Sequence, residues 1–550
     1  MGKLDFYDRG PDRPWANPQL TSAAIVGHTT STSARLWVRV WAPGTYWLLV
    51  SYKVIPGDGV PMVIQTAGKA QARLKLADDT TMPLNGIVQS RDFSFDNDLT
   101  GVFDLDGLKP GATCYYAVFC DVERKNRWEL PPDPERRAIN LPPAKSGEVT
   151  FGLISCHMPY KNNGDVVNVQ MWDRLGRELR DRAAHFLIGA GDQVYTDGSK
   201  RVSIWRWLKS VKKEVLEHKP AKQVEIMRSW YRDIYRGYWG FAPLREVFSR
   251  FPTYMMWDDH EIMDGWGSYT RKELANRLDT LWEWQHSDEN LALASRMFEA
   301  ARMTYLEYQH SHNPPTPPGQ LDYSFAWGDF AFYVLDMRGQ RDYNRKGNDK
   351  ILGAAQMGRF MEWLASAAAK SARALFIVSP VPVVHVTNFI VNTFDLPLLG
   401  LADDLRDEWE HKSNWIERDK ILEAVFDHSH EQAKIVAFLS GDVHIGGAFR
   451  LSRKNLEDAR VFQLTSSGIT YPASELLKLA VKDSGSLGHA DDVPDDKRTN
   501  FTQLHIMNRN NFGIISAQPD AATKAKVSWD LYGSTGEADE IVRLKRVWLV

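Results

Sequence analysis

Two hydrophobic rhythms divide the chain. From about Leu20 to Pro143, apolar and polar residues alternate in short runs separated by turn signals. Leu36, Val38 and Val40 share one face of SARLWVRVWA, a Pro43-Gly44 turn leads into GTYWLLVSY, and Pro110-Gly111 precedes a strand over Thr113 to Cys120. Short strands without a helical period predict an antiparallel β-sandwich. Beyond the proline-rich connector LPPDPERRAINLPPAKSG the rhythm changes. EVTFGLISC and AHFLIGA are continuous apolar runs, and Val169, Trp172, Leu175 and Leu179 recur at helical spacing between them, which predicts a β-α-β unit. Further buried strands are predicted at Tyr254 to Trp257, Phe332 to Leu335, Leu375 to Val378, Ile435 to Leu439 and Val461 to Leu464, mostly with helical segments between. Trp205 to Glu307 reads as helical and rich in Trp and Tyr, a cap around the sheet. Strand-like alternation returns at KVSWDLYG and IVRLKRVWLV, which are expected to complete one sheet edge.

At 550 residues the chain exceeds one ordinary core, so two domains are expected: residues 1–145 as the sandwich and 146–550 as the α/β domain, with the helical cap at about 200–310. Hydrophobic content of 43% and charged content of 25% are those of a soluble globular protein. A net charge of −3 provides no global field for nucleic acid or an anionic membrane. Three cysteines form no disulfide framework, and Cys114 and Cys120 share a strand face too far apart for a bridge. The start MGKLDFYDRGPDRPW has neither an apolar leader nor a twin arginine. The expected location is cytoplasmic as written, or periplasmic or secreted if a leader has been removed. The longest uncharged run, Ala374 to Phe394, holds Pro380, Pro382 and His385 and cannot span a membrane as a helix. Its first part is expected as a buried strand and the remainder as an apolar loop bordering a site. No feature of the sequence speaks to oligomeric state.

Open α/β sheets build their sites beyond the carboxyl ends of their strands. Here those positions carry Cys156, then Asp192 with Tyr195 after the Gly189-Gly191 turn, then Asp258, Asp259, His260 and Glu261, then Asp442 with His444. Taken singly, Asp259 reads as a helix cap, His260 as a satisfied core histidine and Cys156 as a small apolar filler. Taken together they form an oxygen-rich set of metal-ligand and acid/base groups at one sheet edge.

The motifs SCH, GDQVY, WDDHE, LDMRGQR, LGAAQMGRFMEWL and GDVH, in that order behind a sandwich, resemble the PhoD-like alkaline phosphatases of the calcineurin-like metallophosphoesterases. The resemblance implies a two-sheet α/β/β/α domain and a dinuclear Fe³⁺/Ca²⁺ centre that activates water for in-line attack on phosphorus, with Mn²⁺, Zn²⁺ or Mg²⁺ as alternatives. It assigns Cys156, Asp192, Tyr195 and His444 to the iron, and Asp192, Asp259 and Asp442 to the second metal. Where relatives often carry a histidine ligand, this chain has Ser379 and the later His385, which leaves the second set to be filled by Asp264 or water. Asp192 is shared by both metals, His260 is implied to protonate the leaving oxygen, and Arg338 either clamps a phosphoryl oxygen or forms a surface ion pair. The implied partners are a phosphate ester and inorganic phosphate. Phosphodiester, phospholipase D-like or phosphotriester hydrolysis is the alternative activity, and a metal-stabilised binding protein the remote one.

Overall fold

In the computed structural model the described residues are 20–66, 69–120, 126–144, 147–161, 165–198, 202–342, 350–384, 409–471, 484–521, 524–534 and 540–549. Four antiparallel strands and a short fifth, Arg127–Leu130, Thr113–Cys120, Gly44–Ser51 and Ile87–Phe93 with Ala138–Asn140 beside Thr113–Cys120, face a three-stranded sheet of Ala23–Thr29, Ala34–Arg39 and Thr100–Leu105. The alternation seen in the sequence explains the arrangement: Leu36, Val38, Leu48, Val50, Tyr116 and Val118 turn inwards into one core. Cys114 and Cys120 are unbridged and buried in that core. The strand Ala34–Arg39 is buried on its other face too, because Trp37 packs against Trp239 and Tyr308 of the helices and its Nε1 donates to the Glu307 carbonyl at 2.9 Å.

Two larger sheets follow. One has six strands in the order Thr253–Met256, Phe186–Ala190, Val149–Ile154, Asn511–Asp520, Lys524–Ser534, Ile541–Leu549. The first three are parallel, and the C-terminal three add antiparallel, with Ile541–Leu549 on the edge. The other has eight strands, of which Phe330–Val334, Ala374–Ser379, Ile435–Ser440 and Arg460–Ser466 run parallel as adjacent neighbours. Aromatic side chains lock the sheets together: Phe151, stacked on its strand neighbour Phe186 at 4.9 Å, meets Phe332 of the facing sheet edge-on at 5.4 Å. Each such fully buried ring contributes about 2–3 kcal/mol.

Helices cover both outer faces, giving the α/β/β/α layering. Gln170–Asp181, Pro220–Tyr238 and Ser287–Tyr308 pack with Leu187, Met255 and Trp257 on the outside of the six-stranded sheet. Gly353–Ala365 and Trp415–Gln432 cover the eight-stranded one. No helix of the described residues is long and apolar enough to cross a membrane. The apolar run read from Ala374 begins as the buried strand Ala374–Ser379 and stays buried through Val384; His385 and the rest of the expected apolar loop lie outside the described residues.

Candidate metal centre

Parallel pairing brings the carboxyl ends of both sheets to one edge. In the first sheet Ile154 pairs with Gly189 and Ala190 with Met256; in the second Ser379 pairs with Ser440 and Ser440 with Thr465. The residues one step beyond these pairs therefore meet. The two edges touch at Gly441, where a Cβ would stand 2.4 Å from Ser155 Cβ and 2.5 Å from the Ala190 carbonyl. Any side chain at Gly441 would wedge the sheets apart.

Seven of the residues singled out from the sequence converge here. Ligand atoms of Cys156, Asp192 and His444 lie within 4.8 Å of one another, as do those of Asp192, Asp259 and His260, and those of Asp192, Asp258, Asp259 and Asp442. Tyr195 joins them: its hydroxyl donates to Asp192 Oδ2 at 2.9 Å and lies 3.1 Å from His444 Nε2. Cys156 Sγ is 3.4 Å from Asp192 Oδ2 and 3.1 Å from Ser467 Oγ, and Ser467 in turn accepts the His444 amide at 2.8 Å. Cys156, Asp192, Asp442 and His444 all have left-handed backbones, with φ of 56°, 55°, 64° and 54°. Non-glycine residues are held there at a cost of about 1–3 kcal/mol each, so the strand ends are bent against local preference to aim these side chains inwards.

Arg338 does not stand at the surface. Its side chain is 1% exposed, with Nε donating to Asp258 Oδ1, Nη1 to the Trp266 carbonyl at 2.9 Å, and Nη2 3.6 Å from Asp259 Oδ1. It forms a buried ion pair with Asp258, not a surface one, and compensates the carboxylates of the cluster. Asp264 lies outside the cluster, its carboxylate 3.4 Å from Arg277 Nη2. The Ser379 hydroxyl donates to the Val381 carbonyl at 2.6 Å. His157 is a core residue, its Nδ1 accepting from Trp172 Nε1 and Nε2 facing the Tyr238 carbonyl, and burial lowers its pKa to about 4.

Asp197 and Tyr471 emerge only from the structure, which also gives Glu261 of WDDHE a supporting role. Asp197 Oδ1 stands 2.8 Å from His260 Nδ1. Glu261 accepts four N–H bonds beneath the cluster, and burial lifts its carboxyl to about pKa 7 against the pull of those donors. The Tyr471 ring stacks on His444 at 3.9 Å and on Tyr195 at 5.2 Å, while Tyr195 lies 4.1 Å from the His260 ring. The place of Asp197 two residues after Tyr195 and five after Asp192 is the one sequence signal that points to it.

The donor set fits cations. Asp192 Oδ1, Asp258 Oδ2 and Asp259 Oδ1 are buried without a hydrogen-bond partner. Burial, then neighbouring carboxylates, pushes the Cys156 thiol well up; burial and Asp192 do the same to the Tyr195 phenol. Burial also raises Asp192 despite the pull of His260. Uncompensated charge in this setting costs several kcal/mol per ion. A multivalent cation removes that cost and reverses each of these shifts, because thiolate, phenolate and carboxylate are then the favoured forms. Burial alone would discharge His260, but Asp259, Asp197 and Asp192 outweigh it and hold the ring protonated well above the usual range.

The sequence model of the PhoD-like phosphatase family matches residues 151–528, the whole span from the first strand of the six-stranded sheet into its antiparallel half. The chain belongs to the PhoD-like phosphatase family. Alkaline phosphatase D of Bacillus subtilis is 26% identical over 248 residues, covering 44% of this chain and 37% of that protein. An uncharacterised protein of Saccharomyces cerevisiae is 22% identical over 352 residues, covering 52% of this chain and 48% of that protein. The chain thus matches less than half the length of either curated relative. A solved structure titled "Structure of PhoD" superposes with a TM-score of 0.64 at 15% identity, over 98% of this chain and 91% of that one, so the PhoD-like fold extends through the sandwich as well.

Proposed function

We propose that this chain hydrolyses phosphate esters at a dinuclear metal centre, with Cys156, Asp192, Tyr195 and His444 holding ferric iron and Asp192, Asp259 and Asp442 holding calcium. Asp258, through its unpartnered Oδ2, completes the second set in place of the histidine that the sequence lacks at Ser379. The convergence of three buried, unbonded carboxylate oxygens carries the reading. Thiolate and phenolate on one side and carboxylates alone on the other suit a trivalent ion beside a hard divalent one. The metals, when bound, neutralise the phosphoryl oxygens and acidify the attacking water.

The protein's own groups do the rest. His260 has Nδ1 committed to Asp197, which leaves Nε2 as the nitrogen that hands a proton to the leaving oxygen. Asp197 fixes the ring and stabilises its cationic form. The stacked rings of Tyr471, His444, Tyr195 and His260 hold the donor planes. Arg338 balances Asp258 and Asp259 from a buried position.

That last point favours a second reading, a phosphodiester substrate. A monoester dianion calls for a cationic side chain that reaches it, and the arginine expected in that role is buried. Turnover of an aryl phosphate monoester against the matching diester, with and without added Ca²⁺, tests both readings. Monoester preference with Ca²⁺ stimulation supports the phosphatase, diester preference supports the second reading, and turnover of neither contradicts the proposal.

A further inference from the structure

Glu261 is 1% exposed, yet its carboxylate is the most heavily bonded group beneath the cluster. Oε2 accepts the amides of Asp192 at 3.1 Å and Asp258 at 2.8 Å. Oε1 accepts the Gln193 amide at 2.7 Å and Gln309 Nε2 at 2.9 Å. Three of the four donors are main-chain groups, and they come from two different strand ends. The loop after Phe186–Ala190 carries Asp192; the loop after Thr253–Met256 carries Asp258 and Asp259.

We propose that Glu261 is the positioning residue of the metal centre, setting the distance between those two loops and thereby the gap that the carboxylates of Asp192, Asp258 and Asp259 enclose. The inference rests on the reading of these three as metal ligands. Asp192 has a left-handed backbone at φ 55°, and the successive amides of Asp192 and Gln193 turn towards one carboxylate, a concave pair of donors suited to an anion. The carboxyl oxygens of Glu261 therefore hold the bend that aims Asp192. The Asp258 amide ties the second loop to the same carboxylate, and the loops are already in contact: at Gly191, with φ +85°, a Cβ would lie 2.8 Å from Asp258 Cβ. Gln309, whose Nε2 also bonds Tyr235 Oη at 2.9 Å, anchors the carboxylate to the helices behind.

Glutamine at this position is nearly the same size but cannot do this. Each oxygen of Glu261 accepts two N–H groups, so an amide nitrogen in place of either one opposes two donors. Removing hydrogen-bond support from behind a ligand weakens metal binding by about ten- to a hundredfold.

The test is a titration of chelator-stripped protein with Mn²⁺, followed by the electron paramagnetic resonance signal of the free ion, with thermal unfolding measured in parallel. Wild type, E261Q, G191A, D192A and L48A are compared; Leu48 lies in the sandwich core, so L48A lowers stability away from the site. The expected result is that E261Q and G191A bind Mn²⁺ about tenfold or more weakly, while L48A keeps wild-type affinity at a comparable fall in melting temperature. Should E261Q fail to fold, G191A decides, since it separates the loops without touching Glu261. Wild-type affinity in E261Q or G191A, or an equal loss in L48A, overturns the proposal. A D192A variant that still binds Mn²⁺ as wild type removes the ligand reading itself, and the proposal with it.

Discussion

Asp197 and His260 stand as a pair: Asp197 Oδ1 is 2.8 Å from His260 Nδ1, while its Oδ2 accepts the Asp264 amide at 2.6 Å. The second bond fixes the carboxylate, so the imidazole is held in one orientation, and under the proposed mechanism Nε2 is the nitrogen that donates the proton. Asparagine at this position keeps the shape but withdraws the charge that favours the imidazolium. D197N is expected to lower kcat by about ten- to a hundredfold with little change in KM and unaltered metal content. Steady-state kinetics beside elemental analysis check this; wild-type kcat in D197N would remove Asp197 from the mechanism.

Arg338 gives a prediction that separates a buried counter-charge from a substrate clamp. With its side chain sealed against Asp258 and Asp259, truncation leaves carboxylates without their cation. R338A is expected to cost about 3–5 kcal/mol of stability in metal-free protein, read from denaturant midpoints. A variant of wild-type stability with only a raised KM would instead describe a clamp.

Asp98 joins the sandwich to the helices. Burial opposes its charge, but Arg236 at 2.7 and 2.8 Å, Arg39 at 3.2 Å and the Tyr308 hydroxyl outweigh that and hold its carboxyl well below the usual range. A depressed folded pKa gives stability that is complete above the unfolded value, about 3.9, and is lost as pH falls below it. D98N is expected to be less stable by about 3–5 kcal/mol at neutral pH and to lose less of its remaining stability as pH falls from about 4 to about 2. Denaturant midpoints across that range test it; parallel profiles for variant and wild type would contradict the network's role.

The strand ends were legible because the signal there is local. A continuous apolar run followed by a polar ligand type marks a buried parallel strand and its carboxyl end, which is why Cys156, Asp192, Asp259, Asp442 and His444 could be read before any coordinates. The buried setting of Arg338 was not legible because its partner Asp258 lies 80 residues away, and no spacing encodes a pair that two strands create. Asp197 was invisible as a support for a related reason, its partner His260 lying 63 positions on, while for Glu261 the capping-box spacing to Asp258 is local but its bonds to Asp192, Gln193 and Gln309 span 48 to 69 positions. The antiparallel extension Thr499–Met507 escaped notice because Phe501 is flanked on its inward face by the polar Thr499 and Gln503, which breaks the apolar alternation. Local hydrophobic periodicity therefore carries the layers, while the charge balance of the centre comes from contacts far apart in the chain.

Under the proposed function, hydrolysis depends on cations held at Asp192. The most direct measurement is the turnover of an aryl phosphate ester by protein stripped with chelator and then reloaded, beside D192A treated identically. The account predicts that stripping abolishes turnover, that restoring iron and calcium returns it, and that D192A stays inactive with its metal content reduced. Undiminished turnover in the stripped protein, or in D192A, would contradict it.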